Sequence, residues 1–137
     1  MKKVLILLLS VATFVSCSDV EGVTYNAGST FLAFDQASYN LPVNVNSSST
    51  VSVQFVSSSV SSVARTYNLS IVSEESNANP LTYSLPSTVT IPANEYEGTL
   101  TITGTDNDLL DANIKKLVFK VEGLSASEST DTEKVTV

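Results

Sequence analysis

The chain has 137 residues, a formal charge of −7, no histidine, no tryptophan and one cysteine, Cys17. A chain of this length closes one hydrophobic core without metals or disulfides. With 14 acidic against 7 basic residues it offers no basic face for phosphate, which excludes nucleic acid as a partner. Without histidine, a Ser or Thr nucleophile would need a lysine base, so the composition points away from an enzyme.

Lys2 and Lys3 give a positive start, and residues 4–15 (VLILLLSVATFV) form an apolar run followed by Ser16 and Cys17. This is the pattern of a secretory signal. The run is too short to cross a bilayer, which takes about 20 residues as a helix. Cys17 behind Ser16 resembles the bacterial lipobox, with Phe14 where Leu is usual and Val15 where a small residue is commoner. That resemblance implies a lipidated Cys17: a thioether on its sulfur, cleavage before it, and a further acyl chain on the freed amine. Several chains together anchor stably where one does not. The alternative is an ordinary signal cleaved nearby that leaves a free thiol, an awkward outcome for a lone cysteine in an oxidising compartment.

The expected organisation is therefore a lipoprotein signal peptide over 1–16, a flexible acidic tether over 17–29 and one domain over 30–137. Removing the two leader lysines takes the charge from −7 to −9. Ser18-Asp19-Val20-Glu21, directly behind the cysteine, resembles the acidic signal that sends lipoproteins of the Bacteroidota to the cell exterior. The resemblance implies an outer-membrane protein held through its lipid anchor, surface-exposed in preference to periplasmic.

Beyond the tether, short runs rich in Val, Ile, Thr, Tyr and Phe alternate with period two between Ser, Asn, Pro and Gly clusters, which reads as strands. The first spans 30–34, and 37–43 continues it with Tyr39, Leu41 and Val43 on one face; Pro42 makes it an edge. The next, 49–56, points Val51, Val53 and Phe55 one way and Ser52 and Gln54 the other, as in a sheet with one wet face. The run 65–73 repeats this with Tyr67, Leu69 and Ile71, and the Ser-rich link at 57–62 reads as a hairpin loop. After the loop 74–80 come a short piece at 81–85 and strands at 88–91, 98–103, 115–121 and 133–137. Seven or eight strands at roughly ten-residue spacing predict a single all-β antiparallel sandwich of the immunoglobulin-like kind. An eight-stranded outer-membrane barrel is the rival; short runs and the lack of an aromatic girdle oppose it.

Residues 85–103, LPSTVTIPANEYEGTLTIT, run strand, turn (Ile91-Pro92-Ala93-Asn94) and a strand opened by Gly98. This cadence resembles the Calx-beta-like modules and related immunoglobulin-like domains of unknown function in Bacteroidota surface lipoproteins. Phe34-Asp35 with Ser38-Tyr39 is similar to their split first strand, and residues 106–121 to their acidic turn and following strand. Asn94 stands where glycine is common in this turn, and Asn also tolerates positive φ.

The sharpest local cluster is Asp106, Asp108 and Asp111 with Asn107 between them. Calcium takes six to eight oxygens, so these residues would supply about half a site. The Calx-beta resemblance implies calcium on this turn, completed by neighbouring loops; Asp35 is the helper upstream, and the spacing is not that of an EF-hand. The competing reading is a solvated acidic turn with no cofactor. Glu95 and Glu97 flank Tyr96 two residues apart but lie in a turn with no evident pocket, against a glycosidase pair. Tyr25, Tyr39, Tyr67, Tyr83 and Tyr96 could stack on sugar rings, although Tyr39 and Tyr67 fall on the core face by their period. The expectation is thus a non-catalytic display, structural or binding module whose partner is a polysaccharide or a surface protein, with a glycan- or calcium-binding module as the alternative.

Overall fold

The computed structural model describes residues 28–107, 113–130 and 132–137. Most runs in which apolar residues recur at every second position form strands. Nine strands are present among the described residues: β1 (Thr30–Phe34), β2 (Ser48–Ser57), β3 (Arg65–Ile71), β4 (Tyr83–Ser84), β5 (Thr88–Ile91), β6 (Glu97–Thr105), β7 (Val118–Glu122), β8 (Glu128–Thr130) and β9 (Lys134–Thr136). A single 3₁₀ turn, Pro80–Thr82, precedes β4, where the Asn79 side chain accepts the Leu81 N–H at 3.0 Å.

The strands form two sheets rather than one closed cylinder. The first has the order β4-β6-β2-β1-β8 and the second β5-β3-β7-β9. The fold is an all-β sandwich, as the periodicity predicts. The pairing is antiparallel throughout except that β8 lies parallel to β1, with Thr30 opposite Glu128 and Leu32 opposite Thr130.

Period-two side chains meet between the layers. Leu32, Phe34, Val53, Phe55, Leu100 and Ile102 come from the first sheet; Tyr67, Val89, Ile91, Phe119, Val121 and Val135 from the second; all are buried. Phe34 stands edge-on to Phe119 across the layers at 5.6 Å, and Phe55 edge-on to Tyr67 at 5.4 Å, the geometry that ring quadrupoles favour.

Three elements depart from expectation. The run 37–43 is not a strand but a single parallel bridge, Ser38 with Thr136. After Asp35 the chain leaves the first sheet for the second, where Tyr39 N donates to Thr136 O and Thr136 N to Ala37 O. Pro42 has no N–H with which to extend that ladder, although Tyr39 and Leu41 still pack on the core as their spacing predicts.

The link 57–62 is no hairpin, because β2 and β3 lie in different sheets and it crosses between them. The Arg65 guanidinium draws the crossing inward, donating to Ser57 Oγ at 2.9 Å and Ser59 O at 2.8 Å. The third departure is β8 itself, which falls in a stretch without apolar alternation.

At the turn after β5, Asn94 takes φ 64° while its N–H donates to Ser61 O. Gly98 then opens β6 where no side chain fits: a Cβ there would lie 2.3 Å from the Thr90 carbonyl oxygen.

Candidate functional site

Antiparallel strands collect the loops at two ends. β1, β3 and β6 start at the end where the chain leaves residue 28, while β2 starts and β6 finishes at the other. Ten residues of β2 separate the two ends by roughly 30 Å at about 3.3 Å per residue.

The far end gathers the loop before β2, the 3₁₀ turn and the β6–β7 loop, and hydrogen bonds brace them together. Asp106 N donates to Ser47 O at 3.0 Å, and Asp106 Oδ2 accepts the Asn46 N–H at 2.7 Å. That contact holds Asn46 in the left-handed region at φ 55°, which Asn tolerates. Asn107 Nδ2 donates to Leu81 O at 2.8 Å, and Lys116 N to Asn77 Oδ1 at 2.6 Å. On these loops Val45, Leu81 and Ile114 stand out in solvent at 81%, 78% and 92% exposure. Val45 continues the alternation of Tyr39, Leu41 and Val43, and Leu81 opens that of Tyr83 and Leu85, so period alone would turn both inward; Ile114 lies on no such run.

Of the residues singled out for calcium, Asp106 lies at this end; Asp108 and Asp111 lie outside the described residues, as does Cys17. Asp35 is not brought to them. Its N–H donates to Gln54 O and its Oδ1 accepts from Gln54 N and from the Tyr39 hydroxyl, seven residues along β2 from Ser47, or about 23 Å. Among the described residues no three His, Cys, Asp or Glu side chains gather where a metal could sit.

Glu95 and Glu97 are both exposed, one in the turn and one opening β6. Tyr67 is buried, Tyr39 and Tyr83 half-buried, and Tyr96 is 54% exposed, so of the described tyrosines it alone offers an open ring. Lys120 pairs with Glu122 at 3.2 Å and Lys134 with Glu75 at 2.5 Å.

The end where β1 begins holds a polar cluster that the alternation only hints at. Residues 65, 67 and 69 share a face, which sets Arg65 beside the buried Tyr67. Its fork holds Ser57 and Ser59, and Ser59 Oγ meets Thr30 Oγ1 at 2.8 Å. The Tyr67 hydroxyl donates to Glu128 Oε1 at 2.6 Å, and Ser125 N donates to Glu128 Oε2 at 2.8 Å.

Burial, followed by the Glu128 carboxylate, pushes the Tyr67 hydroxyl up to about 12. Burial works against the Glu128 charge, but the Tyr67 and Ser125 hydrogen bonds and the Arg65 charge outweigh it and hold Glu128 below the usual carboxylate range. Tyr39 is likewise raised to about 12, by burial and then by Asp35. These groups brace strands: Tyr67 ties β3 to β8, and Tyr39 ties the segment after β1 to Asp35.

No protein-family model matches the chain, and no curated protein matches its sequence. A two-domain protein of unknown function from Bacteroides fragilis has a similar fold, with a TM-score of 0.62 and 12% sequence identity, over 82% of this chain and 45% of that one. The chain thus spans less than half the length of that neighbour, and the likeness is one of fold.

Proposed function

We propose that the protein is a non-catalytic lipoprotein of the outer membrane, anchored at Cys17, that carries an immunoglobulin-like domain of the Calx-beta-like kind and acts by display or binding. The observation that carries this reading is Cys17, the only cysteine, placed directly behind an apolar leader of signal length and thirteen residues before β1 begins at Thr30. A tether of about that length reaches roughly 20 Å from the lipid. It joins the domain at the end opposite the braced loops, so Val45, Leu81 and Ile114 face away from the anchor.

The strand order supports the immunoglobulin-like part. In spatial order β4, β6, β2 and β1 run as strands D, E, B and A do, and β3, β7 and β9 as C, F and G do, with β8 added beside β1 and β5, which follows β4 in the chain, added beside β3. The crossing of the chain from β1 to the Ser38 bridge corresponds to a split first strand. The non-catalytic part rests on the absence of histidine and on Lys120 and Lys134 being held in ion pairs.

Metabolic labelling with a clickable palmitate analogue tests the anchor. The protein takes up label that the Cys17→Ser variant does not; an unlabelled wild-type protein rejects it. Asp106, at the loop end and followed in sequence by Asn107 and Asp108, is the residue on which calcium rests as the second reading, and titration calorimetry with calcium decides it.

A further inference from the structure

One edge of the first sheet is open. β4 meets β6 only at Thr103 and Gly104, so among the described residues no strand flanks residues 97–102 on the side away from β2. In an antiparallel ladder each residue turns its main-chain N–H and C=O either to its partner or away from it, in alternation. Ser57 N donates to Tyr96 O at 2.8 Å and Asp106 N to Ser47 O at 3.0 Å, which fixes the even-numbered residues of β6 as those bonded to β2. Glu97, Thr99 and Thr101 therefore direct their donors and acceptors out of the edge, and all three are exposed. Thr103, next in this series, sits opposite Ser84 of β4.

β5 approaches this stretch at Gly98, where a Cβ would lie 2.3 Å from the Thr90 carbonyl oxygen, but β5 pairs with β3, and the one charge on the edge is Glu97. Residues 97–102 (EGTLTI) contain no Lys and no Pro, and the register with β2 runs on without a bulge.

We propose that residues 97–101 of β6 form a strand-addition site for an extended segment of another protein. The segment carries a cationic side chain opposite Glu97 and small or β-branched ones opposite Thr99 and Thr101. Three outward residues offer an alternating row of donors and acceptors about 17 Å long, a spacing that an extended polypeptide backbone matches and that a sugar or a lipid headgroup does not. The sign follows from the edge itself, where Glu97 is preceded by exposed Glu95 on a chain of charge −7. The site stands on the strand pairing and does not depend on the anchor.

The test is amide hydrogen exchange on the mature chain with the palindromic peptide acetyl-Lys-Val-Thr-Val-Thr-Val-Lys-amide, which presents the same faces in either direction. In the free protein Glu97, Thr99 and Thr101 exchange fast while Gly98, Leu100 and Ile102 are protected. The peptide slows the first three about tenfold and leaves the others unchanged. Thr99→Pro removes an outward N–H without touching a β2 bond and abolishes the effect. Glu97→Lys weakens it and transfers the preference to the same peptide with Glu in place of Lys. Unchanged exchange at millimolar peptide overturns the proposal. So does protection already present in the free protein: if it rises with protein concentration a second copy holds the edge, and if it does not, another part of this chain does.

Discussion

The hydroxyl of Tyr67, on β3 of the second sheet, donates a 2.6 Å hydrogen bond to Glu128 Oε1 on β8 of the first, so one side-chain pair spans the sandwich at the end where β1 begins. β8 is three residues long and lies parallel to β1, a poor ladder on its own. Charge-assisted bonds of this kind contribute about 1.5–3 kcal/mol when partly buried. Tyr67→Phe and Glu128→Gln should each lower unfolding free energy in urea by about 1–2 kcal/mol, and the double variant by less than their sum, because both remove the same bond.

The same pair makes stability depend on pH at both extremes, with opposite signs. Glu128 is held below its ordinary range in the folded state, so its contribution is present above the ordinary carboxylate pKa and is lost as pH falls through the lowered value. Tyr67 is raised to about 12, so its contribution is complete below pH 10 and is lost as pH climbs from 10 towards 12. Melting temperature against pH should fall more shallowly below pH 5 in Glu128→Gln than in wild type. It should fall more shallowly above pH 10 in Tyr67→Phe, with Tyr39 supplying the remaining alkaline loss.

Gly98 has no room for a methyl group, since the Thr90 carbonyl lies 2.3 Å from where a Cβ would stand. Gly98→Ala must push β5 from β6 and should cost about 1–3 kcal/mol, as overpacking does. Asn94→Gly, at φ 64°, should be nearly neutral, whereas Asn94→Val forces a β-branched residue into the left-handed region and should cost about 1–2 kcal/mol. Chemical denaturation of the three variants ranks them.

Legibility in the sequence follows the periodicity. Val53 and Phe55, Leu100 and Ile102, and Phe119 and Val121 are buried as their alternation says, and Gly98 and Asn94 sit at the turn that their residue types mark. What alternation cannot carry is which sheet a strand joins. The link 57–62 reads as a hairpin because nothing local reveals that Arg65 will fold it across the layers, and β8 escapes because Glu128 is held by a long-range contact with Tyr67, 61 residues away. The loop end is legible only in part: Asp106 is found by composition, but Val45 and Leu81 stand at the ends of alternating runs that would turn them inward, and Ile114 lies on no run at all, so the exposure of all three appears only in the fold.

Asp106 does a structural task whether or not calcium binds, because Asp106 Oδ2 receives the Asn46 N–H at 2.7 Å. Asp106→Ala should lower stability by about 1 kcal/mol in the presence of a chelator, the usual loss for one such bond. If the second reading holds, wild type gains melting temperature with calcium and Asp106→Ala gains less. Differential scanning calorimetry with calcium and with chelator separates the two contributions.

In the proposed function, attachment through Cys17 is what holds the domain at the membrane. The most direct measurement is intact mass of the protein extracted from bacterial membranes, wild type beside Cys17→Ser. The wild-type mature chain should begin at Cys17 and exceed its polypeptide mass by a diacylglyceryl group and a further acyl chain, and Cys17→Ser should lack both. A wild-type chain recovered in the soluble fraction, at its bare polypeptide mass and with a free thiol, would contradict that attachment.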